Sequence, residues 1–320
     1  DDFLLFICDA FGIVHDDLVV GGRYLNLQDL SKFPNPRGKE LEAKPLLPMR
    51  IPYLDEIGSV LKAIKKQDVL LHFPYQSFDY LIRLLMEAAF DPKVDEIKIT
   101  QYRVAENSAV INTLISAAQN GKKVTVFVEL KARFDEENNM LTAEKMTQAG
   151  IRIIYSIPGL KVHAKIAIII RKDTREGLQR KHLAYLSTGN FNEKTAKIYS
   201  DIALLTAQTE LVNDINKVFA ILEGRICEAT FSHLLVARFN MVPTLTEMIR
   251  REIQHVNEGR KGKIILKMNG LHDKNMINEL YNASEQGVEI ELIVRGICCL
   301  VPDQPYSKNI RITRIVDMFL

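Results

Sequence analysis

Leu160-Lys161-Val162-His163-Ala164-Lys165 puts an imidazole and an ammonium two positions apart, just ahead of the apolar run Ile166 to Ile170. In an extended strand, residues two apart share a face, so His163 and Lys165 are expected to point the same way. Ala164, Ile166, Ile168 and Ile170 then cover one face, while Ala167 and Ile169 continue the other. A strand apolar on both faces belongs in the middle of a covered sheet. A histidine and a lysine at the mouth of such a strand need an ionic reason to be there, and a phosphoryl group would supply it. The bland alternative is a half-exposed strand end whose lysine reaches to water. Two neighbours favour the anion. Pro158-Gly159 makes a turn just before the pair, and farther on comes Ser187-Thr188-Gly189-Asn190-Phe191-Asn192. Small and amide residues around a glycine can present backbone N–H groups to an anion.

The elements that must position these groups read as alternating strand and helix. Val69 to Phe73 is a strand closed by Pro74, and Ser77 opens a helix carrying Phe78, Leu81, Ile82, Leu85 and Ala89 at helical spacing. Ile97 to Arg103, Val124 to Leu130, Ile151 to Tyr155, Leu183 to Leu186 and Ile202 to Leu205 read as further strands. Helices are predicted over Ala109 to Asn120, with Gly121 suited to the C′ position, and over Glu136 to Ala149. Another carries Leu211, Val212, Ile215, Val218, Phe219 and Leu222 on one face, and a last one runs from Thr244 to about Val256. The expected class is α/β.

At 320 residues the chain can hold two cores, and 47% hydrophobic with 26% charged residues is an ordinary globular composition. A net charge of +2 gives no global case for nucleic acid or an anionic membrane, so a basic site must be local. Cys8, Cys227, Cys298 and Cys299 show no metal or disulfide spacing and read as reduced residues of a cytoplasmic protein. Peripheral attachment to a membrane stays open, but no apolar run is long enough to span one. A start at Asp1 without methionine suggests a fragment.

Part of the pattern recurs. Ile97–Leu130 can be laid on Lys263–Gly296 without a gap, so that Ile99 meets Ile265, Asn112 meets Asn278, Leu114 meets Leu280, Gly121 meets Gly287 and Val128 meets Val294. An internal duplication explains the match. The counterpart of His163 in the second copy then falls beyond Leu320.

Duplicated α/β halves, each with a His-x-Lys strand and a nearby Gly-Asn loop, resemble the phospholipase D superfamily. The superfamily's aspartate five residues after the lysine is replaced here by Ile170. A closer resemblance is to bacterial polyphosphate kinases. It is carried by Phe73-Pro74-Tyr75, Gln101-Tyr102-Arg103-Val104-Ala105 and Glu129-Leu130-Lys131-Ala132-Arg133-Phe134-Asp135. Pro158 to Lys165 and Thr188-Gly189-Asn190-Phe191-Asn192-Glu193-Lys194-Thr195-Ala196 add to it. The resemblance implies duplicated phospholipase D-like domains, each a mixed sheet flanked by helices, with the second copy incomplete. It divides the chain into 1–49, the end of an upstream head domain, 50–230, the first catalytic domain, and 231–320, the opening of the second.

The implied reaction is reversible transfer of the ATP terminal phosphate to a growing inorganic polyphosphate through a phosphohistidine on His163, assisted by Lys165. Magnesium is the implied cofactor. The family assigns it to positions matching Arg103 and Arg133, but a guanidinium cannot ligate a cation. These arginines are therefore expected to hold the phosphates that hold the metal, within reach of His163 if the sheet is parallel. Tyr199 and Arg295 are the implied nucleotide contacts, with Asn190 in the anion loop. Asp201 shares a strand face with Tyr199 and is expected to accept a hydrogen bond from His163, the role Ile170 cannot fill. Lys161, Lys194 and Lys197 could add a basic funnel. ATP or ADP and polyphosphate are the expected partners, with no nucleic acid and with a homo-oligomeric assembly. No Walker loop or protein-kinase signature is present. Other readings are a phospholipase D-like lipid synthase or nuclease, or an inactive polyphosphate-binding fragment.

Overall fold

The computed structural model describes residues 2–18, 21–22, 30, 33–102, 105, 107–129, 136–155, 160–172, 182–316 and 319. The chain divides into two compact units, Asp1–Leu46 and Leu47–Leu320. The first holds helix α1 (Asp2–Phe11), whose Phe3, Leu5, Phe6 and Phe11 are exposed, and none of its described residues is buried. This agrees with a segment too short to build a core of its own.

The second unit carries two sheets. Its larger one has seven strands in the order β1-β7-β6-β5-β2-β3-β4. They are β1 (Val69–Phe73), β2 (Val94–Gln101), β3 (Lys123–Val128), β4 (Arg152–Tyr155), β5 (Lys165–Arg171), β6 (Leu183–Ser187) and β7 (Asp201–Thr206). β5 is the central strand, as its two apolar faces require. On one side Ala167 and Ile169 join the core under α2 (Pro52–Ile57), α3 (Val60–Lys66), α4 (Asp79–Phe90), α5 (Ala109–Gln119) and α6 (Glu136–Gln148). On the other, Ile166 and Ile168 pack against Val212, Ile215, Phe219 and Leu222 of α7 (Thr209–Leu222). The buried Lys98 fastens that helix to the sheet through an ion pair with Glu223 at 2.7 Å.

Strand directions differ from the parallel arrangement on which the arginine expectation rests. β2, β3 and β4 are mutually parallel, whereas β5 runs antiparallel to β2 and to β6. The reversal is what brings the start of β5 to the carboxyl ends of β2 and β3. In a fully parallel sheet His163 would lie at the opposite edge from Arg103. Arg103 and Arg133 themselves lie outside the described residues.

The second sheet, in the order β10-β9-β8, comprises β8 (Lys263–Met268), β9 (Glu289–Val294) and β10 (Ile310–Arg314), all parallel. Helices α8 (Val242–Asn257) and α9 (Lys274–Glu285) help build its core, which includes Ile249, Leu280, Ile290 and Leu292. The repeat is visible here. β8, α9 and β9 follow one another as β2, α5 and β3 do, and Gly121 and Gly287 both close their helices at positive φ, +75° and +93°. A residue with a Cβ would be strained at both.

Between the sheets the chain is pinned to α7. The buried Asp214 carboxylate accepts from the backbone N–H groups of Ser232, His233 and Leu234 at 3.0, 2.9 and 3.2 Å, and from Lys217 at 2.9 Å. Burial pushes this carboxyl up, but the His233 N–H, the Lys217 ammonium and the Leu234 N–H outweigh it and hold it below the usual range. A depressed carboxyl contributes stability above its unfolded value of about 3.9 and loses it as pH falls through the folded value. Asp214→Ala is therefore expected to cost about 2–3 kcal/mol at neutral pH. The deficit should shrink as urea unfolding curves are repeated below pH 4. An equal deficit at acid and neutral pH would contradict the charge-based account.

Candidate active site

The pairing of β2 with β5 ends at Ile99 and Ala167, and side chains take over from there. Thr100 Oγ1 donates to Ala164 O at 2.8 Å and accepts from Ile166 N at 3.1 Å. The Glu129 carboxylate, fully buried at the end of β3, accepts from Val162 N at 2.9 Å. Asn139 Nδ2 ties the two strand ends together by donating to Tyr102 O and Glu129 O. Lys165 donates its ammonium back to His163 O. The segment before β5 is thus fastened at 162, 163, 164 and 166 without being a ladder strand, and His163 is exposed. The strand starts at Lys165, two residues later than the expected His163 strand.

His163 and Lys165 line a cavity of about 590 Å³ that lies between the two sheets. Lys165 is 5% exposed, so its charge sits at the base of the site rather than snorkelling to water. The ring of Tyr102 gathers this row, 4.6 Å from the His163 ring edge to face, with the Lys161 and Lys165 ammonium groups 5.5 and 5.0 Å from its centroid. Contacts of this kind favour cations on the ring face.

The Gly-Asn loop forms the adjoining wall. Thr188, Gly189 and Asn190 line it, and the buried Asn190 Oδ1 has no hydrogen-bond partner among the described residues. Asp201 lies on the same wall, but its carboxylate accepts from Thr188 Oγ1 at 2.8 Å. The expected hydrogen bond to His163 is not among those of the described residues. The reason is strand order. The expectation placed the Asp201 strand beside the His163 strand, whereas β6 separates β7 from β5, a gap of about 9–10 Å. Asp201 instead packs on Gly189, where an added Cβ would come within 2.5 Å of its Oδ2. Lys194 and Lys197 are exposed on the loop and outside the cavity lining.

The second sheet supplies the opposite wall with Lys267, Met268, Asn269 and Arg295. Arg295 stands over the ring of Tyr199 with its guanidinium carbon 5.0 Å from the centroid, so the two expected nucleotide contacts meet each other. His72, whose ring nitrogen is 3.1 Å from Ser200 Oγ, completes the rim. Sequence reasoning assigned no role in the site to His72, Thr100, Tyr102, Glu129, Asn139, Lys267 or Asn269. The repeat contained a signal for one of them, since Lys267 lies on Gln101 at the end of the matching strand.

Among the described residues no three His, Cys, Asp or Glu side chains are grouped to hold a metal ion, and Asp201 is the one carboxylate lining the cavity. Facing it are Lys165, Lys267 and Arg295. This donor set does not fit a protein-held magnesium and suits an anion instead.

The sequence pattern of the domain described as polyphosphate kinase C-terminal domain 1 matches residues 59–228, and that of polyphosphate kinase C-terminal domain 2 matches residues 234–320. This chain belongs to the polyphosphate kinase family. Polyphosphate kinases of Vibrio vulnificus (strain YJ016) and Yersinia pestis are 44% and 45% identical to it, each over 100% of this chain and 46% of the relative. The chain thus spans about half the length of these polyphosphate kinases. A solved structure of polyphosphate kinase from Porphyromonas gingivalis is 57% identical with a TM-score of 0.83, covering 94% of this chain and 50% of that one. The likeness places the two-sheet unit within the polyphosphate kinase fold. No described helix is long and apolar enough to cross a membrane.

The Thr100 hydroxyl is the smallest group on which the His163 segment depends. Thr100→Val keeps the shape but leaves Ile166 N without its acceptor, and should cost about 1–3 kcal/mol in urea unfolding. Exchange of the Ile166 amide hydrogen should accelerate in the native protein. Unchanged exchange would show that the backbone holds itself.

Proposed function

We propose that this chain forms the catalytic part of a polyphosphate kinase that reversibly moves the terminal phosphate of ATP onto inorganic polyphosphate. The observation that carries the reading is the exposed imidazole of His163, fixed by its backbone and set against Lys165, Lys267 and Arg295 in one cavity. A neutral ring nitrogen of His163 attacks the γ-phosphorus. As the P–N bond forms, the bond to the β,γ-bridging oxygen breaks and ADP leaves with the electron pair. A terminal oxygen of polyphosphate then attacks the phosphorus, the P–N bond breaks, and the imidazole is restored. Both steps need alignment and charge neutralisation more than acid–base chemistry. Lys165 supplies buried positive charge beneath the nucleophile, and Asn190 offers its amide to phosphate.

Tyr199 and Arg295 receive the nucleotide. Arg103 and Arg133, by their places after β2 and β3, grip phosphate oxygens. Magnesium belongs to the nucleotide in this reading and arrives on its phosphates. Asp201 serves to hold the anion loop through Thr188 rather than to orient His163. The proposed domain division is the one stated above: 1–49, 50–230 and 231–320.

Incubation of the full-length protein with γ-labelled ATP should give acid-labile, base-stable label that His163→Ala abolishes. Label surviving in that variant would move the nucleophile elsewhere. Chromatography of products should yield long polyphosphate; phosphodiester exchange or free phosphate alone would point instead to a lipid synthase or hydrolase. Arg103→Lys and Arg133→Lys keep the charge but lose the planar fork, and each should slow transfer about ten- to a hundredfold. Wild-type rates in both would remove the arginines from the site.

A further inference from the structure

Tyr199 and Arg295 come from opposite sides of the cavity, one from the loop before β7 and the other from the end of β9. The guanidinium lies over the ring face at 5.0 Å. Arg295 has few other ties. Its Nε donates to Asn269 Oδ1 at 3.0 Å, and its backbone N–H donates to Met268 O at 3.2 Å. Among the described residues no carboxylate pairs with it. Its positive charge is therefore held by a ring face and one neutral amide. Because Nε is tethered to Asn269, the terminal nitrogens can swing about that point between the ring and the cavity.

We propose that this stack is a specificity device, in which a nucleobase must take the Tyr199 ring face before Arg295 is released to grip phosphate. The proposal rests on the nucleotide reading above. A planar guanidinium and a planar base compete for one face of one ring, and the base replaces the lost cation–π contact with a stacking contact of its own. The freed fork then gains a charge-assisted pair with a phosphate oxygen. Inorganic polyphosphate has no π-face. It can recruit Arg295 only by stripping the guanidinium from the ring with nothing put in its place. The site thereby distinguishes a phosphate chain that ends in a nucleoside from one that does not, using a contact within the protein as the competitor.

Equilibrium binding of adenosine and of ADP to the full-length protein separates this from an ordinary phosphate contact. In Arg295→Met, adenosine should bind about two- to fivefold more tightly, because the exposed cation–π competitor is gone. ADP should bind about tenfold or more weakly, because the phosphate partner is gone. Arg295→Gln, a polar replacement, should give the same opposed pair of changes. In a Tyr199→Leu background the Arg295→Met change should no longer alter adenosine affinity. Adenosine affinity unchanged or reduced in both Arg295 variants overturns the proposal, even where ADP binding falls and the nucleotide reading stands. Failure of the unaltered protein to bind ADP overturns the nucleotide reading itself.

Discussion

The antiparallel pairing of β5 with β2 is the constraint on which the site depends. A central strand in a wholly parallel sheet would begin at the edge where its neighbours also begin, far from their carboxyl ends. Reversing β5 sets its first residues beside the last residues of β2 and β3. The strand pays for its central position with an apolar sequence on both faces from Ile166 to Ile170, and only its two ends, Lys165 and Arg171, are polar. Three functions then meet in a few residues: the ladder stops, buried side chains continue the backbone bonding, and an imidazole is left in the open. Thr100 and Glu129 make that possible, because backbone groups withdrawn from water must find partners and here side chains provide them.

The duplication explains why the cavity has two dissimilar walls. The end of β2 faces it with Tyr102 from one sheet, and the ends of β8 and β9 face it with Lys267, Met268 and Arg295 from the other, as a repeated unit folded against itself would place them. The residues at matching positions have diverged. Gln101 is buried with both side-chain polar atoms unpartnered among the described residues, whereas its counterpart Lys267 is exposed to the cavity. Glu129 is buried and structural, whereas its counterpart Arg295 reaches across to Tyr199. One copy supplies the exposed imidazole of His163 and its scaffold, and the other supplies the positive charge of Lys267 and Arg295.

Much of this was legible before any coordinates. The alternation in Ile166 to Ile170 gave β5 its central place, and the glycines at 121 and 287 marked equivalent helix ends. Strand direction was not legible, because the segment between β5 and β6 carries no turn signature that fixes it. Strand order was equally hidden, and the expected Asp201–His163 hydrogen bond failed on that point alone. A residue's place along its own strand can be read from period two, but which strand lies beside it is a property of the whole sheet. Thr100 and Glu129 escaped notice for a related reason. A single polar residue at the end of an apolar strand looks like a boundary, and its partners are distant in sequence.

The contact between Gly189 and Asp201 bears on how such a sequence can change over evolutionary time. Any residue larger than glycine at 189 would intrude on the Asp201 carboxylate, so the two positions cannot drift independently. A route through sequence space must shorten position 201 first, and that step releases Thr188 from its acceptor before any gain is available. The pair is therefore an epistatic lock, in which each residue raises the fitness cost of replacing the other. Lineages carrying this loop should keep both residues or exchange both, with few intermediates surviving between.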